Sequence, residues 1–287
     1  HDRYGNRIDE VEYDPAYHEL MRTAIGHGLH GAPWADDRPG AHVVRTAKMS
    51  VWTPEPGHVC PISMTYAVVP ALRHNAELAK VYEPLLTNRE YDPELKLATT
   101  KAGITSGMSM TEKQGGSDVR AGTSQATPNA DGTYTLVGHK WFTSAPMCDI
   151  FLVLAQAPGG LSCFMLPRIL PDGTRNRLDV VRLKDKLGNR SNASSELEMD
   201  GTVALRLGDE RRDGWGAVGP AAPGRRRGGR LRRVRGGRHA SGASGAVRAA
   251  VLRDPRRADR RPGRARGAAR GGGVRDRRRH PGTGGGD

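Results

Sequence analysis

The 287 residues predict an α+β chain in three unlike parts: helices over 1–103, short strands over 104–210 and a basic tail over 211–287. The first observation behind this division is a change of hydrophobic period, from 3.6 residues to about two, just after Ala102-Gly103. The second is the strong turn chemistry that separates the later apolar runs. The third is charge. Residues 1–210 hold 22 Lys and Arg against 26 Asp and Glu, whereas residues 211–287 hold 23 Arg, no Lys and 5 Asp, so the net +14 comes entirely from the tail.

In the first part, Asp14-Pro15 reads as an N-cap followed by the proline that suits the first helical position. Tyr17, Leu20, Met21, Ala24 and Ile25 then recur on one helical face. A second helix is expected from Ala41 to Val51, stopped by Pro54 and Pro56. A third, Pro61 to Leu72, should kink or break at Pro70, which has no N–H to donate. Glu77 to Leu86 and Pro93 to Thr100 complete the helical part.

The second part offers eight candidate strands: Ile104–Thr111, Thr123–Thr127, Thr133–Val137, Lys140–Ser144, Phe151–Ala155, Leu161–Leu166, Leu178–Leu183 and Ser194–Met199. Between them lie Asn129-Ala130-Asp131-Gly132, Pro158-Gly159-Gly160 and Pro171-Asp172-Gly173. Evenly spaced short strands of this kind build a compact β-barrel or a sandwich.

Cys60, Cys148 and Cys163 lack CxxC spacing, so they indicate neither a zinc site nor a disulfide framework and read as reduced core residues of a cytoplasmic protein. His27, His30, His58 and His74 have no carboxylate at ligand spacing, and no metal is expected. No apolar run approaches the ~20 residues of a membrane helix. His1 suggests a start inside a longer gene product. Trp52, Met64 and Tyr66 fit either plain core or the wall of a ligand channel.

Two stretches carry the chemistry: MSMTEKQGGSD, Met108 to Asp118, and HKWFTS, His139 to Ser144. Hydroxyls and a Gly-Gly pair that opens a turn can offer side-chain and backbone donors to an anionic or carbonyl-rich ligand. Trp141 adds a flat apolar wall beside Thr143 and Ser144. A planar, polar-edged cofactor bearing phosphate suits the composite, although the glycine turn alone is also an ordinary hairpin connection and WFTS alone an ordinary buried strand.

Together the stretches resemble a known family. From Ser109 to Ala121 the chain follows the acyl-CoA dehydrogenase signature at every position but the first, where Ser109 stands for Gly, Ala or Cys. MTEKQGGSDV, LVGHKWF, LVLAQ, GGLSCF, LPDG and RLKDKLGNRSNAS are similar to the AidB-like branch, the DNA alkylation response flavoproteins, and CPISMTYA to that branch's helical domain. The resemblance covers about Tyr4 to Glu210. It implies an acyl-CoA dehydrogenase-like fold, FAD as cofactor and oxidation of the Cα–Cβ bond of an acyl thioester. Such chemistry places negative charge on the pyrimidine end of the flavin, where donors stabilise it.

Residue by residue, the resemblance implies a cofactor set of Met108, Ser109, Met110, Thr111, Glu112, Gly115, Gly116, Ser117, Trp141, Phe142, Thr143 and Ser144. Met110 and Thr111 would meet the pyrimidine edge, and Gly116 and Ser117 the phosphate side. Trp141 would cover a ring face while Phe142, Thr143 and Ser144 run past N5. Thr111, Ser117 and Ser144 would also face the substrate. Lys184 to Arg190 is either a solvated turn or a cofactor-facing loop.

The family's C-terminal helical bundle would supply the catalytic carboxylate, which is therefore unknown here, together with most of a homo-oligomer interface and, in this branch, a DNA-binding surface. Residues 211–287 contain no Glu, Lys, Asn, Gln, Ile, Phe, Tyr, Met or Cys and cannot form such a bundle. A disordered tail is expected, either an arm that binds nucleic acid through phosphates or a GC-rich gene translated out of frame. The second reading is preferred because Trp215 is the tail's single aromatic. The chain is thus expected to be a truncated, inactive piece of its parent.

Overall fold

A computed structural model describes residues 1–36 and 38–208, so the predicted tail lies outside the described residues. Helix α1, Pro15–Gly26, starts as the sequence predicts, with the Asp14 carboxylate accepting from the Ala16 N–H. Its apolar face buries Met21, Ala24 and Ile25 against Leu29 and Ile62. A short α2, Ala32–Ala35, was not anticipated, and α3 spans Ala41–Trp52.

Helix α4, Val59–Leu72, continues through Pro70 without the break that the sequence allowed there. Pro70 cannot donate to the carbonyl of Tyr66. The Trp34 indole N–H donates to that carbonyl instead, at 2.8 Å. A side chain distant in sequence thus satisfies the group the proline orphans. Helix α5, Ala76–Thr87, follows with Asn75 as cap, whereas the helix expected over 93–100 reduces to one 3-10 turn, Ala98–Thr100.

Seven strands follow: β1 Ser106–Ser109, β2 Gln125–Pro128, β3 Tyr134–Ser144, β4 Ile150–Ala157, β5 Gly160–Pro167, β6 Asp179–Leu183 and β7 Ser194–Leu207. The two strands expected over 133–144 are one, because Gly138, at φ +152°, carries the chain through the irregular pairing with β7 without ending it. Likewise β7 continues across Gly201, at φ +79°, to Leu207.

Pairing decides between barrel and sandwich. β4, β2, β3, β7 and β5 are joined in sequence, and β5 pairs back to β4, which closes the ring; β1 is added on β4 and β6 on β7. Along β4 alternate residues serve two cores. Phe151, Val153 and Ala155 point to the core shared with Leu136, Phe164, Leu166, Leu197 and Met199. Ile150, Leu152 and Leu154 pack with Val68, Val69 and Leu72 of α4 and Leu86 of α5. A strand buried on both faces must be continuously apolar, and β4 is so from Ile150 to Ala155.

Thr65 of α4 ties helices to barrel at β1, accepting from the Ser106 N–H at 3.0 Å while donating to the Pro61 carbonyl. Trp52, Met64 and Tyr66 are packing residues: Met64 joins the barrel core, Tyr66 lies under the Arg45 guanidinium and Trp52 meets His58 edge to face. Among the described residues no helix is long and apolar enough to cross a membrane, and no three metal-ligating side chains gather.

Candidate flavin site

The two sequence motifs meet at one end of the barrel. Thr111, just past β1, forms an antiparallel bridge with Phe142, and the Trp141 N–H donates to the Thr111 carbonyl at 2.8 Å. Along both segments the side chains divide between inside and outside, and an irregularity in the pairing of β3 with β7 between Lys140 and Thr143 lets both of those residues be buried with Trp141 and Phe142 between them.

Ser109, Glu112, Lys140 and Thr143 are the buried set. The Ser109 and Thr143 hydroxyls hydrogen-bond to each other. Lys140 Nζ contacts Glu112 Oε1 at 2.6 Å and donates to the Leu154 carbonyl at 2.7 Å. The Glu112 carboxylate also accepts from the Thr123 and Ser124 N–H groups, closing the loop 112–124 on itself. Burial pushes its pKa up, but the Lys140 ammonium and the Thr123 amide outweigh it and hold the carboxyl at about 2. For Lys140, burial lowers the pKa and Glu112 opposes.

The loop so closed presents the glycines. Glu112 to Gly115 turns on a 3.0 Å backbone bond, and Gly115 takes φ +110°. A 3-10 turn, Gly116–Ala121, then starts without a side-chain cap. A Cβ on Gly116 would lie 2.9 Å from Thr111 Oγ1, so the loop folds back onto the threonine only because the residue is glycine. The hydroxyls of Thr111, half-buried, and Ser117, exposed, make no hydrogen bond among the described residues.

Trp141 is half-buried and Phe142 42% exposed, so an apolar surface faces outward beside those hydroxyls. Lys184 Nζ sits 3.0 Å from the Trp141 ring centroid and 4.8 Å from that of Phe142, while also donating to Glu196 at 2.7 Å. Lys113 and Arg182 stand about 6 Å from the indole. Lys184 to Arg190 is thus anchored by its first residue to the aromatic face, whereas Leu187 is fully exposed. Ser144 is engaged: Asn192 Nδ2 donates to its hydroxyl at 3.1 Å, and Ser194 Oγ lies at 3.2 Å. Met108 and Met110 pack partly into the cores.

Lys140, Asn192 and Ser194 were not among the expected site residues, and Lys184 entered only as the start of the segment read as a solvated turn or a cofactor-facing loop. For Lys140 a partial signal was available, since a lysine within a strand buried on one side needs a buried partner and Glu112 is one of two acids in the other motif. For Lys184 the local sequence left turn and cofactor-facing loop open, and its place beside Trp141 depends on the pairing of β6 with β7.

Comparison with known proteins fits this geometry. Residues 1–93 match the adaptive response protein AidB N-terminal domain, and residues 107–202 the acyl-CoA dehydrogenase middle domain. AidB of Escherichia coli (strain K12) is 48% identical over 214 residues, 73% of this chain and 39% of that protein. The structure of Caenorhabditis elegans ACDH-11 in complex with C11-CoA superimposes with a TM-score of 0.66 at 32% identity, covering 76% of this chain and 38% of that one. An acyl-CoA dehydrogenase from Bacillus anthracis complexed with FAD shares the fold, at a TM-score of 0.54 and 21% identity over 70% of this chain and 33% of that one. The chain spans under half the length of each of these relatives. Two consecutive domain matches, the 48% identity and the shared fold place residues 1–202 in the acyl-CoA dehydrogenase family, in its AidB-like branch.

Proposed function

We propose that residues 104–210 form the flavin half of an acyl thioester dehydrogenase site, with residues 1–103 as its helical partner. One observation carries the reading: the Thr111–Trp141 contact puts two free hydroxyls, a glycine turn and an aromatic surface on one outward face. These residues fit FAD. Thr111 and Met110 would hold the polar ring edge, Gly116 and Ser117 the phosphate side, and Trp141 with Phe142 the ring face. Gly115 shapes the turn, while Ser109, Glu112, Thr143 and Met108 position the others from beneath. FAD, when bound, supplies the hydride acceptor for CH–CH oxidation. The C11-CoA complex of the ACDH-11 relative supports an acyl thioester as substrate, facing Thr111, Ser117 and the Asn192–Ser144–Ser194 chain.

We further propose, as the family resemblance implies, a cytoplasmic homo-oligomeric parent linked to the response to DNA alkylation; the match to the adaptive response protein AidB N-terminal domain supports the last of these. We assign the proton-abstracting carboxylate to a C-terminal domain of that parent. Residues 211–287 are read as an out-of-frame translation, and the 287-residue chain as inactive. Translating the gene after about Arg206 to Glu210 in the other two frames tests this: one should show helices with 3.6-residue periodicity and an acid placed for α-proton abstraction. If neither does, the 23 Arg of the tail favour the second reading, a nucleic-acid-binding arm whose affinity falls steeply with salt.

Titration with FAD, followed by quenching of flavin fluorescence, tests the site itself. The continuous-frame protein should bind FAD stoichiometrically and the 287-residue chain weakly. A continuous-frame protein that takes up no FAD overturns the assignment.

A further inference from the structure

The helical part carries a second concave site, remote in sequence from the flavin motifs. A cavity of about 320 Å³ opens between the end of α1, α2, the first two turns of α3 and the stretch after α5, and its wall includes His27, Asp36, Arg38, Arg45, Lys48 and Arg89. Asp36 is the one carboxylate among the described wall residues, and Arg38 occupies it with Nε 2.8 Å from both oxygens. Arg45, Lys48 and Arg89 form no ion pair with any described residue.

Their uncharged contacts fix where the first two charges sit. Arg45 Nε donates to the Leu29 carbonyl at 2.7 Å and its guanidinium lies 3.6 Å over the Tyr66 ring, so the side chain is held half-buried with its outer nitrogens uncommitted. Lys48 Nζ reaches the His27 carbonyl at 3.4 Å. Arg45 and Arg89 converge on one locality, since both oppose protonation of the buried His30 whose Nε2 is bonded to the Asn88 carbonyl; burial is the larger cause of that opposition. Helix α3 adds partial positive charge, because it begins at Gly40, φ +86°, without a side-chain cap, and Gly40 and Ala41 line the cavity.

Three unpaired cations and a helix N-terminus on one concave wall repel one another, and an anion of multiple charge relieves that repulsion through charge-assisted hydrogen bonds. Guanidinium pairs match the oxygens of a phosphate, and the volume lies in the range of small-ligand pockets. We propose that this cavity binds a phosphate dianion carried by a small phosphorylated molecule. Its concave shape and volume suit a compact group rather than an extended polyanion.

The test uses the full chain labelled with nitrogen-15 and titrated with inorganic phosphate, with chloride at matched ionic strength as control. The amides of Gly28 and Gly40 should shift saturably with phosphate and not with chloride. Arg89→Glu and Lys48→Glu, both at exposed positions, should each weaken the interaction at least tenfold while leaving the circular dichroism and thermal midpoint unchanged. Arginines elsewhere are present in every variant and cancel in the comparison. Shifts that follow ionic strength whatever the anion, or that survive both substitutions, overturn the proposal. So does a response of these amides to a duplex oligonucleotide but not to inorganic phosphate.

Discussion

The inner and outer halves of the two motifs proposed to hold flavin are built from neighbouring residues yet obey opposite rules. Ser109, Glu112, Lys140 and Thr143 are buried and satisfy one another. Thr111, Ser117, Trp141 and Phe142 lie close to them in sequence and leave hydroxyls and apolar surface less buried. A signature motif is therefore not a roll of ligand contacts. Part of it makes a rigid floor, and the remainder, held by that floor, is free to bind.

Breaking the floor should cost most. Glu112→Ala leaves the Lys140 ammonium buried without its partner, and the loss of stability should be about 3–5 kcal/mol by chemical denaturation. The double variant Glu112→Gln, Lys140→Met should recover much of it. A single variant that loses less than about 1 kcal/mol would show the pair to be dispensable.

Acid should separate the helical part from this floor. His30 is buried and held neutral, with its pKa lowered to about 4. Below the ordinary histidine value the unfolded chain takes up a proton that the folded chain refuses. Stability should therefore fall by up to about 3 kcal/mol as pH drops from about 6.5 to 4, and His30→Gln should flatten that segment. Glu112 has the opposite folded preference, for the charged form. Its contribution is present above about 4.5 and is lost only as pH falls toward 2. Denaturation midpoints across pH should show the two windows apart, and a single window would contradict the separation.

Smaller effects sharpen the contrast. Ser109→Ala should cost on the order of 1 kcal/mol of stability, because Thr143 loses its buried partner. Thr111→Ala and Ser117→Ala should change stability by less than about 0.5 kcal/mol. Each should weaken FAD binding by the continuous-frame protein about fivefold, as loss of roughly 1 kcal/mol implies. Trp141→Ala should also weaken it. Unaltered FAD affinity in all three would remove the outer face from the site.

Local signals in the chain determined the change from helix to strand after Ala102-Gly103, the cap at Asp14-Pro15, and the Thr111 and Trp141 motifs. Each is a matter of period, cap or turn preference within a few residues. Tertiary structure decided what depends on partners far along the chain. Helix α4 survives Pro70 because Trp34, 36 residues earlier, takes the freed carbonyl of Tyr66. Residues 93–97 lose their helix where Asp92 and Lys101 are tied toward Asp149 by the 2.7 Å Lys101–Asp149 contact. The barrel closes through β4–β5 and β2–β4 pairing, which turn chemistry alone cannot distinguish from a sandwich. Inward roles at Ser109, Lys140 and Thr143 follow from the pairing of β1 with β4 and of β3 with β7, since side-chain direction is set by register and register is set by the neighbouring strand.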